Sequence, residues 1–297
     1  MNQPFRLLFL ASACVTSGWL TACQSESKPV AAASLPPAAA SAPTKTEDDQ
    51  PTQPATTAST TVVGPAIQNV PAFLAANNLA PLWQADFDRQ EAGARPLILD
   101  GFYGADHRHI AVIFERVEPD TRQPGLFRVH GRTRYKKNIT PFDGTLTVTG
   151  LKALNVPLDL DSATQARARA YTATTSFELR EDATAAGAGI FRGTALMDFY
   201  RLSSGELGLV QEMSGSDLPT GGGGLLFRGN WQSVRTGRQQ EVAFATYAQA
   251  VVPDAMQDLY IGERGETINP KYAGLDWSEA WENEEWWAKP TKPALSL

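Results

Sequence analysis

The sequence predicts an all-β chain, an antiparallel meander closed into a barrel of about eight to ten strands, with a β-sandwich as the alternative. Three observations carry the prediction. From Leu97 apolar and polar residues alternate with period two over about 150 residues. The connections between these runs hold turn residues (DTRQPG, TAAGAG, LSSG, TGGGG). Phe-x-Gly recurs at Phe102, Phe142, Phe191 and Phe227, which puts a large ring and a missing side chain on one face of a strand, as curved sheets require. The spacings of 40, 49 and 36 residues are too irregular for a solenoid or propeller.

In chain order, the first segment, residues 1–22, reads as an export signal. Arg6 is its only charge, and Leu7 to Leu20 form an apolar stretch too short and too rich in small residues for a membrane span. It ends in Leu20-Thr21-Ala22-Cys23. That tetrapeptide resembles the lipobox of bacterial lipoproteins: an aliphatic residue, two small residues, then Cys. The resemblance implies that Cys23 becomes the acylated first residue of the mature chain, attached to a membrane by its lipid. Gln24 and Ser25 follow in place of an Asp, a pattern similar to that of lipoproteins sent to the outer membrane of Gram-negative bacteria. Cys14 would leave with the signal, so the mature chain would hold no disulfide.

Residues 23–65 form a tether. From Gln24 to Pro65, 28 of 42 positions are Ala, Pro, Ser or Thr, and such a segment buries too little apolar surface to offset its chain entropy. The barrel domain is expected over 66–255, opening with a short helix at Pro71–Asn77. The strand candidates are His109–Val117, Phe127–Tyr135, Phe142–Val148, Tyr171–Leu179, Phe191–Phe199, Gly205–Glu212, Leu225–Ser233 and Val242–Ala248. The remainder, 256–297, is an acidic, Trp-rich extension that packs on the barrel. In it Ser278 would cap a short helix with Trp277 and Trp281 one turn apart.

The meander and Gly229-Asn230-Trp231 resemble the calycin-like barrels of the lipocalin group, whose Gly-x-Trp stands near the start of the first strand, whereas here it comes late. The resemblance implies an architecture; function has to be argued from a site.

The net charge of −6 excludes a strongly basic nucleic-acid binder. No Gly-x-Ser-x-Gly is present, the glycine runs Gly187–Gly189 and Gly221–Gly224 lack the Lys-Ser/Thr of a phosphate loop and read as flexible connections, and no motif calls for a cofactor. Arg128, His130, Arg132 and Arg134 alternate along one strand within an acid-free window from Asp120 to Asp143. They form either a site for an anionic ligand such as a lipid headgroup or acidic glycan, or a solvated outer face. Trp277 and Trp281, with Trp231 on its own strand, offer either an aromatic platform for a sugar or hydrophobic partner, or rings that cover the barrel. His107, His109 and His130 form either a three-imidazole metal site or a polar turn plus one strand histidine. The functional expectation is a non-enzymatic binding barrel for a small apolar or anionic ligand. The alternatives are an interaction module for an envelope protein or glycan and, third, a metal-dependent enzyme.

Overall fold

The computed structural model describes residues 62–84, 96–158, 160, 162–212, 216–262, 267–280 and 286–288. The segment read as a signal, Cys23 of the expected lipobox, nearly all of the expected tether and Trp281 lie outside them. The sheet is antiparallel throughout. In chain order the strands are β1 (Val63–Ala66), β2 (Leu99–Tyr103), β3 (Arg108–Pro119), β4 (Leu126–Tyr135), β5 (Asn138–Leu154), β6 (Ala168–Glu181), β7 (Gly189–Leu202), β8 (Leu207–Leu209), β9 (Leu225–Ser233) and β10 (Gln239–Ala245). Eight of them, β2 to β7 with β9 and β10, pair in chain order and close where β10 meets β2, forming a ring that is not evenly spaced around one axis. This closed ring replaces the sandwich alternative. β1 adds to the end of β5 and β8 to the end of β7. Val63–Ala66 therefore pairs within the sheet, although the sequence places most of it in the tether. The candidate at Gly205–Glu212 contributes only the three residues of β8.

Closure follows from where the side chains are small. Gly193 and Gly229 face each other across β7 and β9, and a Cβ on Gly229 would lie 2.0 Å from the Arg192 carbonyl oxygen. Two facing glycines let the backbones approach where the wall bends. Bulges between Phe114 and Arg116 in β3 and between Val148 and Gly150 in β5 add curvature. The Phe-x-Gly pattern has two outcomes. Phe142, Phe191 and Phe227 point into the barrel, while Phe102 lies on its outer side because Leu99, Gly101 and Tyr103 take the inward positions of β2.

Aromatic and aliphatic side chains fill the interior. Phe227 is fully buried, with its ring stacked on Phe244 at 4.8 Å and edge-on to Phe177 at 5.3 Å and Trp83 at 5.8 Å. The N-terminal segment plugs one end. Asn69 caps helix α1 (Val70–Ala76) by accepting from the Ala72 amide. Phe73 meets Tyr171 and Phe199, and the following 3-10 turn, Ala80–Trp83, buries Leu82 and Trp83. The C-terminal segment lies along the outer wall as short 3-10 turns, Pro270–Leu275, Trp277–Ala280 and Trp286–Ala288. Ser278 falls inside a turn and caps nothing helical, since each turn is too short for an α-helix. Among the described residues no helix is long and apolar enough to cross a membrane.

The glycine run is packed, contrary to the expectation of a flexible connection. Gly222 to Gly224 are buried, with φ of 93° at Gly222 and 83° at Gly224, values that suit glycine. The outward-facing Asp198 pins the loop: its Oδ2 accepts from the Thr220 amide at 2.9 Å and from the Thr220 hydroxyl at 2.7 Å. Burial pushes the Asp198 carboxyl above the usual range, and the Thr220 hydrogen bonds oppose that shift only in part. A group with a raised folded value contributes stability that is fully present below its unfolded value and is lost as pH rises through the folded one. The stability difference between wild type and Asp198→Asn therefore moves in favour of wild type as pH falls from neutral toward the ordinary carboxylate range. Denaturant titrations of both chains at several pH values check this, and a difference independent of pH would contradict it.

Candidate binding site at the barrel mouth

Opposite the plugged end, the turns β2–β3, β4–β5, β6–β7 and β9–β10 surround an open mouth with a cavity of about 630 Å³. That volume suits a small ligand. Alternation supplies its lining, because inward positions at or near the end of each strand point there: Tyr103 from β2, Tyr135 from β4, Glu181 from β6 and Trp231 from β9. The packed layer of Phe227 and Phe244 beneath leaves the barrel axis without a channel for a long apolar chain.

Glu181 is the polar centre of the mouth. Its Oε1 accepts from the Thr133 hydroxyl at 2.7 Å, and its Oε2 accepts from the Gly189 amide at 2.9 Å and the Trp231 indole N–H at 3.0 Å. Burial raises the carboxyl above its ordinary value against the pull of these three donors. Gly189 has to be glycine because a Cβ there would sit 2.1 Å from the Trp231 ring. Tyr103 continues the aromatic wall, 5.3 Å from the Trp231 ring and 4.6 Å from that of Tyr135. Burial also raises the Tyr103 phenol, so it remains a protonated hydrogen-bond donor at neutral pH.

The rim carries Arg108, Lys136 and Arg238 against Asp106. Lys136 stands at φ 56° in the two-residue turn between β4 and β5, with its ammonium 5.5 Å from the Tyr135 ring centre. His107, at φ 52°, belongs to the neighbouring turn, and Asp276, at φ 67°, pairs with Arg108 at 3.1 Å. All three non-glycine residues with positive φ among the described residues thus sit in or against this rim. Backbone strain of about 1–3 kcal/mol per residue concentrates where a surface has to hold a particular shape.

Of the residues singled out from the sequence, Trp231 lies in the mouth. The basic residues of β4 do share the outer face, but acids from neighbouring elements pair with them. Arg128 meets Asp120 at 3.2 Å, His130 meets Asp143 at 2.9 Å, and Arg132 meets Glu115 at 3.0 Å. Glu115 follows Ala111 and Ile113 on the outer face of β3 and reaches Arg132, which also donates to the Trp287 carbonyl at 2.7 Å. Arg134 is buried, its guanidinium 5.4 Å from the centre of the Trp286 ring. Trp286 packs on Ala111 and Ile113, and Trp277 is fully buried with its N–H donating to the His107 carbonyl at 2.9 Å. These two tryptophans therefore cover the wall and present no open platform.

The histidines do not converge. β3 begins at Arg108, so His107 stands in the turn against Phe102 and shares no strand face with His109. His109 is buried under Trp277 with its Nε2 2.7 Å from Asp100, and His130 of β4 pairs with Asp143 of β5. Among the described residues no group of three or more His, Cys, Asp or Glu side chains could hold a metal ion. Comparison with known protein families, with characterised proteins and with solved structures finds no match.

Proposed function

We propose that this is a lipid-anchored protein of the bacterial envelope that binds a small polar ligand at the barrel mouth. The anchor is read from Leu20-Thr21-Ala22-Cys23, the outer-membrane destination from Gln24 and Ser25, and the reach of the domain from the Ala/Pro/Ser/Thr tether. The observation that carries the binding reading is the mouth itself: a half-buried carboxyl held by three donors beside an aromatic wall, at the end of a packed barrel that the described residues leave open. The fixed groups and shallow depth favour a compact polar molecule over a lipid tail.

Native mass spectrometry of the full chain purified from its own envelope tests the binding reading. The expected result is a bound small molecule that is lost in Trp231→Ala. A wild-type chain that carries nothing and takes up nothing from an envelope extract would overturn it. The anchor has its own test. Cys23→Ser is expected to abolish acyl labelling and move the protein from the membrane to the soluble fraction, since stable attachment needs more than one chain at about 0.8 kcal/mol per buried methylene. Unchanged fractionation would contradict it.

A further inference from the structure

Within that reading, we infer that the ligand is a zwitterion whose ammonium group sits against Glu181 and the Tyr103–Trp231 wall and whose anionic group, phosphate or carboxylate, meets Lys136 and Arg238 at the rim.

The charge of Glu181 comes first. Hydrogen bonding alone does not need an acid at this position. A glutamine could accept from the Gly189 amide and the Trp231 indole through its one oxygen and donate to the Thr133 hydroxyl through its amide. The chain instead holds a group whose ionised form is costly to bury, and among the described residues no cationic side chain pairs with it. What Glu181 lacks is a countercharge and not a donor. The upward push of burial on its carboxyl measures the same deficit.

The aromatic wall comes second. Aromatic rings beside a carboxylate attract an ammonium group through the ring quadrupole, at about 0.5–2 kcal/mol per contact as water is excluded. Tyr103 and Trp231 are buried or half-buried against one another at the same depth as Glu181. Third, the rim has the opposite sign. Among the described residues neither Lys136 nor Arg238 has a carboxylate at ion-pair distance, whereas Arg108 is engaged by Asp276. An anion inside and cations outside match a molecule with a positive end and a negative end.

The probes are glycerophosphocholine and glycerophosphoethanolamine, with glycerol 3-phosphate as a phosphate anion, here a monoester, without the ammonium and N-acetylglucosamine as a neutral ring. They are titrated calorimetrically into the full chain in a non-ionic detergent. The expected result is that both ammonium compounds bind about tenfold or more tightly than glycerol 3-phosphate, and that Glu181→Gln removes this preference while its melting temperature stays within a few degrees of wild type. Should Glu181→Gln fold poorly, Lys136→Ser with Arg238→Ser provides a second arm, expected to weaken both ammonium compounds at unchanged stability. Sedimentation with phosphatidylethanolamine vesicles separates two sources of the same chemistry: co-sedimentation of the Cys23→Ser chain identifies a lipid headgroup, and binding to soluble probes alone identifies a free zwitterion. Equal affinity for glycerol 3-phosphate, preference for the neutral ring, or an ammonium preference that survives Glu181→Gln would overturn the inference while leaving a mouth that binds. A mouth that binds no probe and retains no native molecule would overturn the reading it rests on as well.

Discussion

Replacing Gly229 by valine is expected to cost at least about 3 kcal/mol and to leave little folded protein at 37 °C. The Cβ would lie 2.0 Å from the Arg192 carbonyl oxygen and 2.8 Å from the Gly193 Cα, and both are backbone atoms of the paired strand. Overpacking usually costs about 1–3 kcal/mol because side chains can move aside. Here the neighbour is main chain, so relief means breaking the β7–β9 ladder around Gly193↔Gly229. Alanine at the same site keeps most of the clash, since the offending atom is the Cβ itself. Circular dichroism melts of the two variants check this, and a Gly229→Val chain that melts like wild type would show that the barrel closes elsewhere.

The second large effect is expected at the centre of the barrel. Phe227→Ala should cost about 3–5 kcal/mol, because its ring is fully buried and touches four other rings: Trp83, Phe114, Phe177 and Phe244. No single rotamer change can refill a void with four rigid walls. Trp83 belongs to the plug, so the loss should also loosen α1 and the 3-10 turn after it. Hydrogen exchange read across Val70–Trp83 and denaturant unfolding measure both effects. A loss below about 1 kcal/mol would contradict the packed interior, and with it the proposal that a ligand is confined to the mouth.

The period-two pattern made most of the barrel legible. Phe142–Val148 and Leu225–Ser233 lie where alternation places them, because one buried face imposes register on a strand. The mouth was harder to read because it is assembled from the ends of strands far apart in the chain. Thr133 looks like one more core-facing residue of β4, and its hydroxyl finds a purpose only once Glu181 of β6, one strand beyond β5, comes within reach. Glu181 did leave a signal. Ala173, Thr175, Phe177 and Leu179 are the inward positions of β6, and two residues further along the same register stands an acid on a core-facing position.

The outer basic face shows the opposite limit. The window from Asp120 to Asp143 contains no acid between its ends, so Arg132 and Arg134 read as an uncompensated patch. Glu115 on the outer face of β3 and the Trp286–Trp287 turn neutralise and cover it from other elements. The β3–β4 pairing that sets Glu115 beside Arg132 leaves no signature in composition, and the return of the tail across β3 depends on the closed barrel. Ser278 likewise looked like a helix cap only while a helix was expected there.

The most direct test of a mouth-binding function is the indole N–H spectrum of the full chain, titrated with the small molecules released by denaturing protein purified from its own envelope. The Trp231 N–H, hydrogen-bonded to Glu181, is expected to shift with saturation, while the buried N–H groups of Trp83 and Trp277 stay in place. Shifts confined to Trp286 and Trp287 on the outer wall, with Trp231 unmoved, would contradict the account.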